Sequence, residues 1–107
     1  MSTEIPGFGS FAEPALYILV SLSEGSKHGY AIMVDLESAT GRPMRAGTLY
    51  AVLDRLQERG LIEALPPDAR RRPYRLTALG SQVLASELRR LSDLTALGLR
   101  RLGEPSR

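Results

Sequence analysis

Between Gly47 and Thr77 the chain reads GTLYAVLDRLQERGLIEALPPDARRRPYRLT. Leu49, Val52, Leu53 and Leu56 recur at the spacing of a helix with one apolar face. That helix is predicted from about Ala46 to Arg59, with Gly60 suited to its C-cap. Leu61 to Leu65 reads as a strand, Pro66-Pro67-Asp68 turns the chain, and Arg72 to Leu76 returns it. A short helix followed at once by an Arg-tipped hairpin suits a protein that reads the DNA major groove and grips the neighbouring backbone. The pattern predicts a winged helix-turn-helix: mainly α, with a small β-hairpin wing.

The rest of the chain fits around that unit. Ser10 and Glu13 have the spacing of a capping box, ahead of a first helix from about Phe11 to Ser23. Glu24-Gly25-Ser26 ends it, and a second helix spans about Lys27 to Ala39, broken by Gly41 and Pro43. Thr77 can cap a last helix that runs to about Leu102, where Gly103 and Pro105 stop it. The predicted division is a flexible N-terminal arm over 1–9, a winged helix-turn-helix DNA-binding domain over 10–77, a C-terminal dimerisation helix over 78–103 and a tail over 104–107.

The length of 107 residues suits one domain with a single small core, which a partner subunit would help to stabilise. A hydrophobic content of 43% argues against disorder. No apolar run approaches the roughly 18 residues of a membrane span, and MSTEIPGFGS has neither the basic nor the apolar part of a secretion signal. A cytoplasmic protein is the simplest expectation. Residues 1–41 hold one Lys against five acids, whereas residues 42–75 hold eight Arg against four acids. Positive charge thus gathers on the segment predicted to meet DNA.

With the Leu stripe inward, the third helix turns out Gly47, Ala51, Asp54 and Glu58, flanked by Thr48, Tyr50 and Arg55. Thr48 and Tyr50 can bond phosphate, and Arg55 can take phosphate or guanine. Arg70, Arg71 and Arg72 suit phosphate or minor-groove contact. Lys27 joins the DNA-binding candidates. Alone, each set could be an ordinary solvated surface; their adjacency favours DNA.

In the last helix Leu84, Leu88, Leu91, Thr95, Gly98 and Leu102 follow a heptad-like spacing. Its apolar surface exceeds what one small domain needs, so a dimer seam is expected. That seam comprises Leu84, Leu88, Leu91, Leu94 and Leu102, with Leu16 and Leu19 of the first helix.

No enzyme is expected. Gly7-x-Gly9-x-x-Ala12 matches a dinucleotide fingerprint on paper, but no strand precedes it. His28 is the one histidine and there is no cysteine, so neither a metal set nor a catalytic triad has its members. No cofactor is implied. His28 is expected to pack or bond near the start of the second helix.

Over residues 12–90 the chain resembles the PadR family of bacterial transcriptional regulators. The resemblance rests on His28-Gly29-Tyr30, Gly47-Thr48-Leu49-Tyr50, Leu53 with Arg55-Leu56, and Gly60-Leu61-Ile62. It continues through the Arg-rich turn to Tyr74-Arg75-Leu76-Thr77 and Gly80. It implies a winged helix-turn-helix homodimer, usually a repressor of nearby genes, of the compact kind with a single helix after the wing. A pseudo-palindromic DNA operator follows from such a dimer, and a small-molecule effector that releases it is an open option. Where the family often has Ser-Pro before the Gly-Thr-Leu-Tyr motif, this chain has Arg45-Ala46. A bound phosphate would offset the cation at that helix start, so Arg45 is a candidate backbone contact. Some compact members bind flat hydrophobic compounds through aromatic side chains, but this chain has no Trp and no aromatic residue in its last helix. The alternative to a DNA-binding regulator is a winged-helix protein-interaction module without sequence-specific DNA binding.

Overall fold

The third predicted helix sets the frame. In the computed structural model, which describes residues 8–104, it forms α3 (Ala46–Glu58), and Leu49, Val52, Leu53 and Leu56 are all fully buried. They meet α1 (Ala12–Leu22) through Ala15, Ile18 and Leu19, and α2 (Gly29–Thr40) through Ile32 and Leu36. The wing strands β2 (Ile62–Ala64) and β3 (Pro73–Leu76) close the core with Ile62 and Tyr74. The fold is a winged helix-turn-helix, mainly helical with a small antiparallel sheet.

That sheet has three strands, one more than the predicted hairpin, in the order β1 (Lys27–His28), β3, β2. The extra strand, β1, pairs Lys27 with Tyr74 and His28 with Pro73. The second helix therefore starts at Gly29 and not at Lys27. Its cap is His28, whose side chain accepts from the Ala31 N–H. On the other side, Ile62 faces Leu76, Glu63 faces Arg75 and Ala64 faces Tyr74.

Other boundaries also differ. The Ser10–Glu13 capping box does not form: Gly9–Phe11 is a 3₁₀ turn that runs into α1, whose N-cap Phe11 makes no side-chain capping bond. Backbone carbonyls satisfy those amides instead, Phe11 N–H donating to Phe8 O at 2.8 Å. Phe8 and Gly9 are no part of a flexible arm, because Phe8 is buried in the core and Gly9 opens the 3₁₀ turn; residues 1–7 of the predicted arm lie outside the described residues. The Thr77 cap does form, accepting from Gly80 N–H at 3.0 Å and donating to Gly60 O at 2.6 Å. Pro105 also lies outside the described residues.

From Thr77 springs α4 (Ala78–Arg101), about 36 Å long at 1.5 Å per residue. Only Gly80 and Leu84 of α4 are buried. The distal part projects, so the molecule measures 52 × 28 × 23 Å and its radius of gyration is 15.0 Å. A compact chain of this size would have about 13 Å. Among the described residues no helix is long and apolar enough to cross a membrane.

Candidate nucleic-acid interface

The turn between α2 and α3 presents the start of α3 to solvent. Gly41, at φ 74°, ends α2 in the left-handed region that glycine adopts without a Cβ penalty. Thr40 Oγ1 donates to Leu36 O at 2.7 Å and accepts from Arg42 N–H at 3.1 Å, which fixes the path into α3. Arg45 is the N-cap and has no side-chain capping bond, so the first amides of α3 stay open to an outside acceptor. Arg42, Arg45 and Thr48 share the lining of one open concavity of about 580 Å³, walled by Pro14, Tyr17 and Met44. The grouping of Arg42 with Arg45 was missed in the sequence, where a turn residue carries no periodic signal.

One turn along α3, Tyr50 leans onto α2. Gly29 is buried there, and a Cβ placed on it would lie 2.5 Å from the Tyr50 hydroxyl oxygen. The missing side chain of the His-Gly-Tyr segment is thus the space that the Tyr50 ring occupies. Tyr50 stays half-exposed along its other side. Tyr74, beneath it on β3, has its phenol pKa raised above the ordinary value. Burial is the main cause, with the nearby Asp54 carboxylate and Tyr50 adding to it and Arg72 opposing it.

The wing turns two residues later than its prolines suggest. Asp68 and Arg71 exchange backbone hydrogen bonds of 2.7 and 2.8 Å. Ala69 and Arg70 sit between them at φ 48° and φ 70°. Two positive φ values suit the right-handed twist of a hairpin but cost residues that carry a Cβ. Arg70 is therefore held at the exposed tip. Arg71 turns inward along the wing, with Nη1 3.0 Å from His28 Nε2. Arg72 Nη1 reaches back to Leu65 O at 3.5 Å, and Arg75 is paired with Glu63 at 2.8 Å.

Two candidate contacts are differently occupied. Lys27 Nζ points inward: it donates to Ser21 O, pairs with Glu24 at 3.3 Å and lies 3.9 Å from Asp35. Ser21 Oγ in turn donates to Asp35 at 2.6 Å, so Lys27 ties α1 to α2 in place of facing a phosphate. Arg55 lies about 12 Å of helix axis beyond Gly47. Its guanidinium stacks over Phe11, 5.0 Å from the ring centroid, as Arg59 stacks over Phe8 at 5.7 Å.

The dimer candidates also divide. Leu19 and Leu84 are buried in the chain's own core, and Leu16 packs against that core. Leu19 and Leu84 are therefore not free to form a seam, whereas Leu16 keeps part of its surface open. Leu88, Leu94 and Leu102 are exposed, Leu97 joins them, and Leu91 is half-buried.

Residues 18–86 match the family of PadR-like transcriptional regulators. A 37.1 kDa protein of a Streptomyces fradiae transposon is 34% identical over 80 residues, covering 75% of this chain and 23% of that relative. This chain thus spans about a quarter of that protein. The solved structure of RosR from H. salinarum is similar at 32% identity and a TM-score of 0.68, over 76% of this chain and 74% of that one. A transcriptional regulator from Clostridium thermocellum is similar at 26% identity and a TM-score of 0.72, over 81% of this chain and 89% of the other.

Proposed function

This chain belongs to the PadR-like family of transcriptional regulators, and from that premise we propose that it is a homodimeric repressor of a pseudo-palindromic DNA operator. One observation carries the reading: the exposed start of α3 and the Arg-rich wing are joined through His28 and Gly29. Tyr50 packs on Gly29, and His28 pairs with Pro73 of the wing. Inserting α3 in a major groove would therefore carry the wing toward the flanking backbone as one piece. In this reading Arg45, Thr48 and Tyr50 hold phosphates at the groove edge, with Arg42 added to them. Arg70, Arg71 and Arg72 hold the wing side. Arg55, stacked on Phe11, acts as a strut for α1 before it acts as a base contact.

The exposed leucines of α4 supply the dimer. Leu88, Leu91, Leu94 and Leu102 lie on a helix that projects beyond its own core, and a second copy would cover them. Thr95 fits such a seam because its hydroxyl already donates to Leu91 O at 2.8 Å. Two domains related by a twofold axis would bind half-sites about 34 Å apart or a multiple of that.

Fluorescence anisotropy tests the reading, with the duplex upstream of the chain's own gene set against a scrambled duplex at several salt concentrations. Preference for the native fragment of at least about a thousandfold is expected, with a salt slope that counts the phosphates engaged. Equal weak binding to both duplexes, with a stable complex to another protein, would favour the protein-interaction reading.

A further inference from the structure

The imidazole of His28 stands between two donors. Ala31 N–H is 3.3 Å from Nδ1, and Arg71 Nη1 is 3.0 Å from Nε2. A neutral imidazole has one acceptor nitrogen and one N–H, while a guanidinium only donates. Both contacts cannot be hydrogen bonds at once. Ala31 N–H is fixed in the first turn of α2, where no carbonyl of the helix can accept from it, whereas Arg71 is an exposed side chain on the wing. The lone pair therefore belongs on Nδ1, and Nε2 carries the hydrogen. That leaves Nε2–H and the Arg71 guanidinium as two donors converging with no acceptor between them.

A cavity of about 320 Å³ opens at this point, bounded by His28, Asp68, Ala69, Arg71 and Pro73. We propose that it receives one unesterified phosphate oxygen of the DNA backbone, held jointly by His28 Nε2–H and Arg71. The proposal rests on the DNA-binding reading above and adds His28 to the contacts. One oxygen accepting from both groups removes the donor conflict, and the charge of Arg71 strengthens the bond. The same imidazole caps α2 and touches the wing, so the phosphate would lock wing and helix in register. Asp68 faces the same cavity, and among the described residues no ion pair neutralises it. Its carboxylate opposes an entering anion and so tempers the affinity of the site.

Because His28 is the only histidine, its ring nitrogens give unambiguous ¹⁵N NMR signals. The expected result is the Nε2–H tautomer in the free protein, with that proton slowed in exchange when the operator duplex is added. An Nδ1–H tautomer would overturn the proposal, because Nε2 would then accept from Arg71 and no donor pair would exist. His28→Asn keeps a good helix cap but cannot reach the wing. It should weaken operator binding about tenfold, the size of one charge-assisted hydrogen bond, and leave the salt slope unchanged because no charge is lost. Arg71→Ala, on an exposed residue, should weaken binding at least as much and also lower the salt slope by about one, and the double variant should match Arg71→Ala. Asp68→Asn should tighten binding a few-fold by removing the like charge. Wild-type affinity in His28→Asn would sink this proposal alone; no operator preference in the wild type would sink the DNA reading with it. An imidazole response to sodium phosphate but not to the duplex, at matched ionic strength, would also overturn it.

Discussion

Both α3 and α4 carry a leucine stripe at helical spacing, and the two stripes meet different fates. The four apolar residues of α3 are fully buried, while Leu94 of α4 is 54% exposed and Leu102 is 75% exposed. The difference is one of position, not composition. Helix α3 is surrounded by α1, α2 and the wing, whereas α4 beyond Leu84 adds no buried residue to that core and leaves Leu88, Leu94 and Leu102 exposed. Periodicity thus shows that a helix has an apolar face but not whose surface covers it. A contiguous exposed apolar face is what an interaction site leaves on a single chain.

If the body is self-sufficient and α4 is completed by a partner, substitutions in the two stripes should separate cleanly. Leu53→Ala empties a fully enclosed site in α3 and should cost about 2–5 kcal/mol. The melting temperature should fall in calorimetry by a similar amount at every protein concentration. Leu94→Glu should leave the isolated body intact but place two charges in a dimer seam, raising the dimer dissociation constant roughly a hundredfold. Sedimentation equilibrium would show it, and operator affinity should fall with the dimer. Unchanged sedimentation would break the comparison, leaving the α4 stripe without a second copy as its cover.

The same contrast explains what could be read from the sequence. The α3 stripe and the Thr77 cap were legible because each depends on residues close in the chain. Leu19 and Leu84 were misassigned to a seam because an apolar side chain looks alike in a core and at an interface. Strand β1 was illegible: two residues have no period, and only pairing with β3 makes Lys27 and His28 a strand. The inward role of Lys27 depends on Ser21 and Asp35, which no local pattern announces. Pro66 and Pro67 drew the predicted turn toward themselves, whereas Ala69 and Arg70, residues that seldom take positive φ, make it.

The wing tip offers a smaller test within the body. Ala69 and Arg70 pay for a left-handed backbone, at a cost of about 1 kcal/mol each. Ala69→Gly removes that cost without touching a guanidinium, although glycine gives back part of it through the freedom of its unfolded chain. Amide exchange at Arg71 N–H should slow up to about fivefold, since that proton closes the turn onto Asp68 O. Operator binding should hold or improve slightly. Faster exchange would mean that the turn is not strained and that the wing is held mainly by the pairing of β3 with β1 and β2.

The smallest expected effect sharpens the line between the buried body and the open helix through pH. Tyr74 is buried in the core and its phenol pKa is raised, first by burial and then by Asp54 and Tyr50. In the unfolded chain the phenol titrates near the ordinary value of about 10. Above that pH the unfolded chain has shed a proton that the folded one still holds, so stability falls as pH rises through the folded value. Below it both states are protonated and the phenol adds no pH dependence. Urea midpoints should therefore drop between about pH 9 and pH 11 in the wild type, and Tyr74→Phe should flatten part of that fall. Tyr17 of α1 is 42% exposed, so Tyr17→Phe serves as the surface control and should leave the slope unchanged. Equal flattening by both substitutions would show that the alkaline loss comes from the charge of the whole molecule and not from the buried ring that joins wing to helix.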